Sequence, residues 1–235
     1  MGFADKEHID FVGGEILAFD KPLHWTSFDL VAKVRYTVCH KIGEKKLKVG
    51  HSGTLDPLAT GVVVVCTGRN TKMIDQLQYD DKEYIATLQL GATTPSFDME
   101  HPVDKTYPTA HITRALIDEV IPQFTGEQWQ VPPMYSAVWV DGKRAYQMAR
   151  KGETVELKPK LLVIDEMEVL AFDAGTMLLT IRVVCSKGTY IRALARDIGE
   201  RLGSGAYLTA LRRTRVGGIR IEDCMTIDDF LEIMN

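Results

Sequence analysis

Hydrophobic and polar positions along the chain change period several times, and each change marks an element. From Tyr84 to Leu90 the residues Tyr84, Ala86, Leu88 and Leu90 alternate with Ile85, Thr87 and Gln89, the two-residue period of a strand, and Gly91 ends it. Ile16 to Phe19 reads as a short strand. Ser27 to Val38 reads as a helix that begins among Thr26 to Asp29, whose hydroxyls and carboxylate suit a helix N-terminus. A glycine-punctuated loop from Lys48 through Gly50, His51, Ser52 and Gly53 to Asp56 and Pro57 leads into the apolar run Gly61 to Cys66, which suits a buried strand. Residues Ala110 to Phe124 carry Ile112, Leu116, Ile117, Val120, Ile121 and Phe124 at helical spacing and predict a core-facing helix. Leu161 to Phe172 and Met177 to Cys185 predict two strands joined by a turn at Asp173, Ala174 and Gly175. In the helix that follows, Thr189 is the expected cap and Ile191, Leu194, Ala195, Ile198 and Leu202 form one stripe, with Arg192, Arg196 and Arg201 pointing elsewhere.

Strands and helices do not alternate as they do in a doubly wound parallel sheet, and a hairpin is present, so an α+β fold on a mixed sheet is expected. Without a repeat, a low-complexity tract or a linker, residues 1–235 are expected to form a single domain. A hydrophobic content of 45% with 26% charged residues excludes the disordered class, and the longest apolar run is too short to span a bilayer. The N-terminus MGFADKEHIDF has no secretory pattern, which implies a cytoplasmic location and no membrane partner. Cys39, Cys66, Cys185 and Cys224 are scattered without a CxxC pair and are read as reduced thiols.

The net charge of −4 argues by itself against a polyanionic partner, but its distribution reverses the argument. Lys33 to Lys48 holds six basic residues against Glu44, and Lys187 to Arg220 holds eight against Asp197 and Glu200, while Glu222 to Glu232 is acidic. Each basic run alone reads as a solvated face, and the segregation of the two signs is what suggests a phosphate-bearing partner.

Residues 50 to 65, GHSGTLDPLATGVVVV, set one carboxylate, Asp56, in a loop of glycine and small residues ahead of the buried strand. Alone, Asp56 before Pro57 is ordinary turn chemistry. The whole string resembles the catalytic motif of the tRNA pseudouridine-55 synthases of TruB type, in which the aspartate of GxLDPxATG is the catalytic carboxylate. The resemblance covers nearly the full chain. FDKPLHWTSFDLV, residues 19 to 31, is similar to the family's first motif with Lys21 and Pro22 in place, although His24 stands where the family usually has glycine. KEYIATLQLGATTPSFD (82–98), VPPMYSAVWVDGKRAYQMARKG (131–152), CSKGTYIRALARDIGERLG (185–203) and GAYLTALRRTRVGG (205–218) resemble further family segments. Many members carry a small RNA-binding domain of PUA type after the catalytic domain, and this chain stops at Asn235. The resemblance therefore implies a pseudouridine synthase fold, a mixed and mainly antiparallel sheet flanked by helices and loops, without a C-terminal PUA domain.

It also implies roles for single residues. Asp56 would be the essential carboxylate and Arg192 its cationic partner. Tyr84 would pack on the target base, Tyr190 would be the base that removes a proton from carbon, and Leu211 would contact substrate. His51 would fill the space left by the extruded uridine, and Lys45, Lys46, Arg212 and Arg213 would grip phosphates. Taken singly, Tyr84 reads as a core aromatic, Tyr190 as a helix-start aromatic, Arg192 as an exposed helix arginine and His51 as a hydrogen-bonded loop residue. The isomerisation neither adds nor removes atoms, and no GxGxxG, Walker loop or metal-spaced cluster occurs, so neither a cofactor nor a metal is expected. The implied partner is the T arm of tRNA, bound by a monomer that needs no protein partner. Two other readings stay open: a guide-dependent synthase like the catalytic subunit of box H/ACA particles, and a non-catalytic RNA-binding module in which Asp56 only shapes its loop.

Overall fold

Four consecutive valines suit a strand covered on both faces. In the computed structural model, which describes residues 9–234, Val62 to Val65 are each at most 1% exposed. Contacts divide the chain into two units, Met1–Tyr84 with Arg212–Asn235, and Ile85–Leu211.

The first unit begins with β1 (Ile16–Lys21), α1 (Ser27–Ile42), β2 (Val49–His51), β3 (Ala59–Thr67), a 3-10 segment at Gly68–Met73 and the short α2 (Ile74–Leu77). Helix α1 starts where its caps predict. The Thr26 hydroxyl accepts a hydrogen bond from the Asp29 amide at 2.9 Å, and the Asp29 carboxylate accepts one from the Thr26 amide at 2.8 Å. Such a reciprocal box contributes about 1 kcal/mol. The helix runs past Val38 to Ile42 because Gly43, at φ 72°, supplies the left-handed cap. It buries Leu30, Val31, Val34 and Val38.

Strand β4 (Lys82–Leu90) has its first residues, through Tyr84, in this unit and the rest in the second. It buries Lys82, Tyr84, Ala86, Leu88 and Leu90, the alternation expected from the sequence. The second unit continues with the paired β5 (Ala92–Thr93) and β6 (Lys105–Thr106), then α3 (Arg114–Val120), a 3-10 turn at Ile121–Phe124 and β7 (Gly126–Gln130). The small hairpin β8 (Trp139–Val140) and β9 (Lys143–Arg144) and the helix α4 (Ala145–Ala149) follow. Next come the hairpin β10 (Lys160–Asp173) and β11 (Leu178–Cys185), and then α5 (Ile191–Arg201). Strand β12 (Ala206–Val216) returns the chain to the first unit, which ends with β13 (Ile219–Arg220), a 3-10 turn and α6 (Ile227–Met234).

In the first unit the strand order is β1-β3-β12, with β2 also paired to β3 and β13 to β12. Phe230 of α6 meets Phe19 of β1 edge-on at 5.4 Å. In the second unit the order is β12-β4-β11-β10-β7. The α+β expectation thus holds, with antiparallel pairing of β1 with β3 and of β10 with both β7 and β11.

Two expected helix limits shift. The helix expected over Ala110 to Phe124 starts only at Arg114, capped by the Thr113 hydroxyl, and its last turn is 3-10. Pro122 causes the second change, since it lacks the amide that would continue the α-helical hydrogen bonds, although Ile121 itself keeps helical angles. Thr189 does not cap α5. Its hydroxyl donates to the Ser186 carbonyl at 3.0 Å, and Tyr190 holds the cap position.

Gly61 in β3 has φ 111°, and a Cβ there would overlap the backbone carbonyl of Arg213 on β12. Gly61→Ala therefore combines a left-handed conformation with a backbone clash, and should lower unfolding free energy by about 2–4 kcal/mol. Urea denaturation checks this; a loss below about 0.5 kcal/mol would contradict it.

Candidate active site

The loop between β2 and β3 carries Asp56, and its backbone is held from several directions. The Ser27 hydroxyl accepts from the Leu55 amide at 2.8 Å and lies 3.2 Å from the Leu55 carbonyl. The Ser52 amide donates to Val64 of β3, and the Ala59 amide to the Asp56 carbonyl, each at 3.0 Å. On the far side of Asp56, the Pro57 carbonyl accepts from the His24 amide at 2.8 Å. His24 sits at φ 67°, which explains why a glycine suits this position; a histidine there costs about 1–2 kcal/mol.

Arg213 completes the frame. Only 2% exposed, it donates from Nε to the Val62 carbonyl at 2.7 Å, from Nη1 to Thr54 at 3.3 Å and from Nη2 to Gly53 at 3.1 Å. This corrects its expected place on the RNA backbone, because its donors are engaged inside the protein. Arg212 is half-exposed and grips Asp20 through both carboxylate oxygens, at 2.7 and 3.2 Å, and the Thr60 hydroxyl at 3.1 Å. Lys45 and Lys46 are exposed in the loop between α1 and β2.

Lys21 is a feature that the sequence pattern did not assign. It is fully buried, and its ammonium donates to the carbonyls of Pro22 at 2.9 Å and Trp25 at 2.6 Å. Burial lowers its pKa to about 8; the negative charge of Asp56 pulls the other way, and the positive charge of Arg213 adds to the lowering. Lys21 is therefore mostly protonated at neutral pH, and its charge is attracted to the Asp56 carboxylate. His51 is also shifted downward, by burial first and then by Arg213, so it is held neutral. Its Nδ1 accepts from the Gly53 amide at 3.3 Å, which assigns the proton to Nε2. Tyr84 is 7% exposed, on the buried face of β4.

Three expected site residues lie in the second unit. Leu211 is half-buried at the middle of β12, and Tyr190 precedes α5, its backbone amide and carbonyl bonded to the Gln130 side chain. Arg192 is not the exposed arginine that the helix pattern suggested. It is 6% exposed, with Nε 3.7 Å from the Asp98 carboxylate and hydrogen bonds to the carbonyls of Ser96 at 3.2 Å and Tyr135 at 2.9 Å. Asp98 in turn accepts from the Ser96 hydroxyl at 2.6 Å and the Glu100 amide at 2.9 Å. The carboxylate of Asp98 had no assigned role in the sequence pattern.

The sequence profile described as "TruB family pseudouridylate synthase (N terminal domain)" matches residues 40–191, and "tRNA pseudouridylate synthase B C-terminal domain" matches residues 192–235. The chain belongs to the TruB family. Among curated TruB proteins, tRNA pseudouridine synthase B of Phocaeicola vulgatus is 63% identical over 224 residues, covering 95% of this chain and 94% of that one. The Parabacteroides distasonis protein of the same name is 63% identical over 227 residues, covering 95% and 96%. Of solved structures, a Cbf5-Nop10-Gar1 complex matches with TM-score 0.69 and 29% identity over 94% of this chain, which spans 54% of the matched chain. An H/ACA RNP bound to a substrate RNA containing 2'-deoxyuridine matches with TM-score 0.66 and 26% identity, again over about half of that chain, 53%. The TruB relationship covers both framed regions, the Asp56 loop and the Arg192–Asp98 cluster.

The Lys21 shift has a sign that can be tested in this TruB protein. Unfolded, the side chain titrates near 10.5, and folded near 8, so between these values the unfolded chain holds the extra proton and stability rises with pH. Relative to Lys21→Met, the wild type should gain about 2 kcal/mol between pH 7.5 and 10 in urea unfolding. A difference that stays constant with pH would contradict the assignment.

Proposed function

We propose that the protein isomerises uridine 55 in the T arm of tRNA to pseudouridine, with Asp56 as its essential carboxylate and without a cofactor. The observation that carries this reading is the Asp56 loop, whose backbone is tied down at residues 52 to 59 while a buried ammonium, Lys21, interacts with the carboxylate. Preorganisation of this kind suits a group that must meet positive charge developing on a ribose.

The reaction breaks the bond from ribose C1′ to base N1 and forms one from C1′ to C5. N1 ends with a proton, C5 loses its own, and the composition is unchanged. On this reading Asp56 attacks the nucleotide or stabilises the charge on its sugar. Tyr84 packs on the detached uracil, Leu211 contacts it, Arg192 supplies positive charge for Asp56, and Tyr190 takes the proton from carbon. The uridine has to leave the folded T loop first, at a cost of a few kcal/mol, and the neutral His51 takes its space. Lys45 and Lys46 hold phosphates, and the enzyme acts as a cytoplasmic monomer without a protein partner.

Relatives named tRNA pseudouridine synthase B at 63% identity, matched over nearly their whole length, support this substrate over a guide-dependent one. The assay that separates the two holds only protein and unmodified tRNA, with no guide RNA. In it Asp56→Asn should lose at least a thousandfold in rate while its tRNA affinity stays within about tenfold, or ~1.4 kcal/mol. A variant that turns over near the wild-type rate would remove the proposal.

A second outcome addresses Tyr84. If its ring is what the base needs, Tyr84→Phe keeps activity within about tenfold, whereas Tyr84→Leu loses on the order of a hundredfold, about the loss expected for a stacking surface worth ~1–3 kcal/mol. Equal damage from Phe and Leu would move the hydroxyl into the chemistry and weaken the assignment of Tyr190.

A further inference from the structure

We propose that Arg213 is the positioning residue of the Asp56 loop: its guanidinium, spread over three backbone carbonyls, fixes the turn that presents the carboxylate. The inference rests on the reading of Asp56 given above and adds a specific dependence to it.

The argument begins with shape. A guanidinium carries its donors in one rigid plane, and here Nε, Nη1 and Nη2 each meet a different carbonyl, at Val62, Thr54 and Gly53. Val62 belongs to β3, the strand buried on both faces, so that bond anchors the plane to the rigid sheet. Gly53 and Thr54 lie three and two residues before Asp56, so the other two bonds transfer that anchorage to the loop. Ser27 holds Leu55, and His24 holds Pro57. Arg213 therefore holds the Thr54 and Gly53 carbonyls, next to the Gly53 amide that donates to His51. A lysine retains the charge but offers one donor centre on a flexible stem and cannot satisfy three carbonyls that lie in different directions.

Strand geometry is arranged for this reach. Gly61 lacks the side chain that would hold β12 away at Arg213, and its φ of 111° is one that glycine alone adopts cheaply. The positive charge is felt in the site as well, since Arg213 depresses the protonation of both His51 and Lys21. A phosphate ligand has to present its donors to solvent, and a guanidinium 2% exposed does not.

The test compares wild type, Arg213→Lys and Arg213→Gln with Lys45→Ala/Lys46→Ala as the reference for phosphate contacts. Single-turnover rates on unmodified tRNA are taken from pH 6 to 10 below the melting range of each variant, and tRNA binding is titrated at several salt concentrations. Positioning predicts a rate loss of about ten- to a hundredfold for both Arg213 variants, tRNA affinity within about threefold, and an unchanged salt slope. Arg213→Gln should also move the alkaline part of the pH profile upward, which Arg213→Lys should not; a purely structural role would leave the profile in place. If Arg213→Gln does not fold, the rate and salt slope of Arg213→Lys decide the matter. A slope lowered by roughly 0.7–0.9 at an unchanged rate would make Arg213 a phosphate ligand and overturn the proposal. Equal rates for wild type and Arg213→Lys would overturn it too. A wild-type protein that forms no pseudouridine in tRNA would instead overturn the functional reading, and this inference with it.

Discussion

A loop that approaches a protein interior must find partners for its peptide groups, and the loop of residues 52 to 59 finds them in elements distant in sequence. Ser27 comes from the start of α1, His24 from the turn before it, Val64 from β3, and Arg213 from β12. Much of the first unit follows from this requirement. The capping box at Thr26 and Asp29 fixes the end of α1 on which Ser27 sits, and Gly61 lets β12 come close enough for Arg213 to reach. The result is a carboxylate carried on a short turn whose backbone is tied to elements distant in sequence.

Electrostatics adds a second constraint to the same place. Lys21 and Arg213 are both buried and both positive, and each tolerates burial because backbone carbonyls accept from it. Asp56 is the foremost negative charge that interacts with Lys21, and burial, helped by Arg213, keeps His51 neutral. In the second unit Arg192 and Asp98 repeat the principle, a buried cation and a buried carboxylate with hydrogen bonds to spare. Removing one member of such a pair costs more than the pair is worth, because the other charge is left buried.

Where local chemistry decides structure, the sequence was readable. Thr26 and Asp29 marked the start of α1, the alternation in β4 placed Tyr84 on its buried side, and the apolar run after Ala59 was a covered strand. The motif around Asp56 was legible as a family resemblance. Roles that depend on long-range contacts were not. Arg213 looked like a surface cation because the burial pattern of β12 slips: Ala206 and Leu208 are buried on even positions, Arg213 on an odd one. Arg192 looked exposed because its partners come from residues 96, 98 and 135, far from its own helix. A charged residue with no opposite charge at helical spacing was the available signal, and it does not distinguish a solvated side chain from one paired across the fold.

The central claim is that the framed carboxylate serves one isomerisation at one uridine, and hydrogen loss from C5 reports that step directly. Unmodified tRNA carrying tritium at C5 of its uridines should release one tritium per molecule with the protein alone. It should release none when position 55 is cytidine, and none with Asp56→Asn. Release that persists without uridine 55, or that requires a guide RNA, would contradict the account.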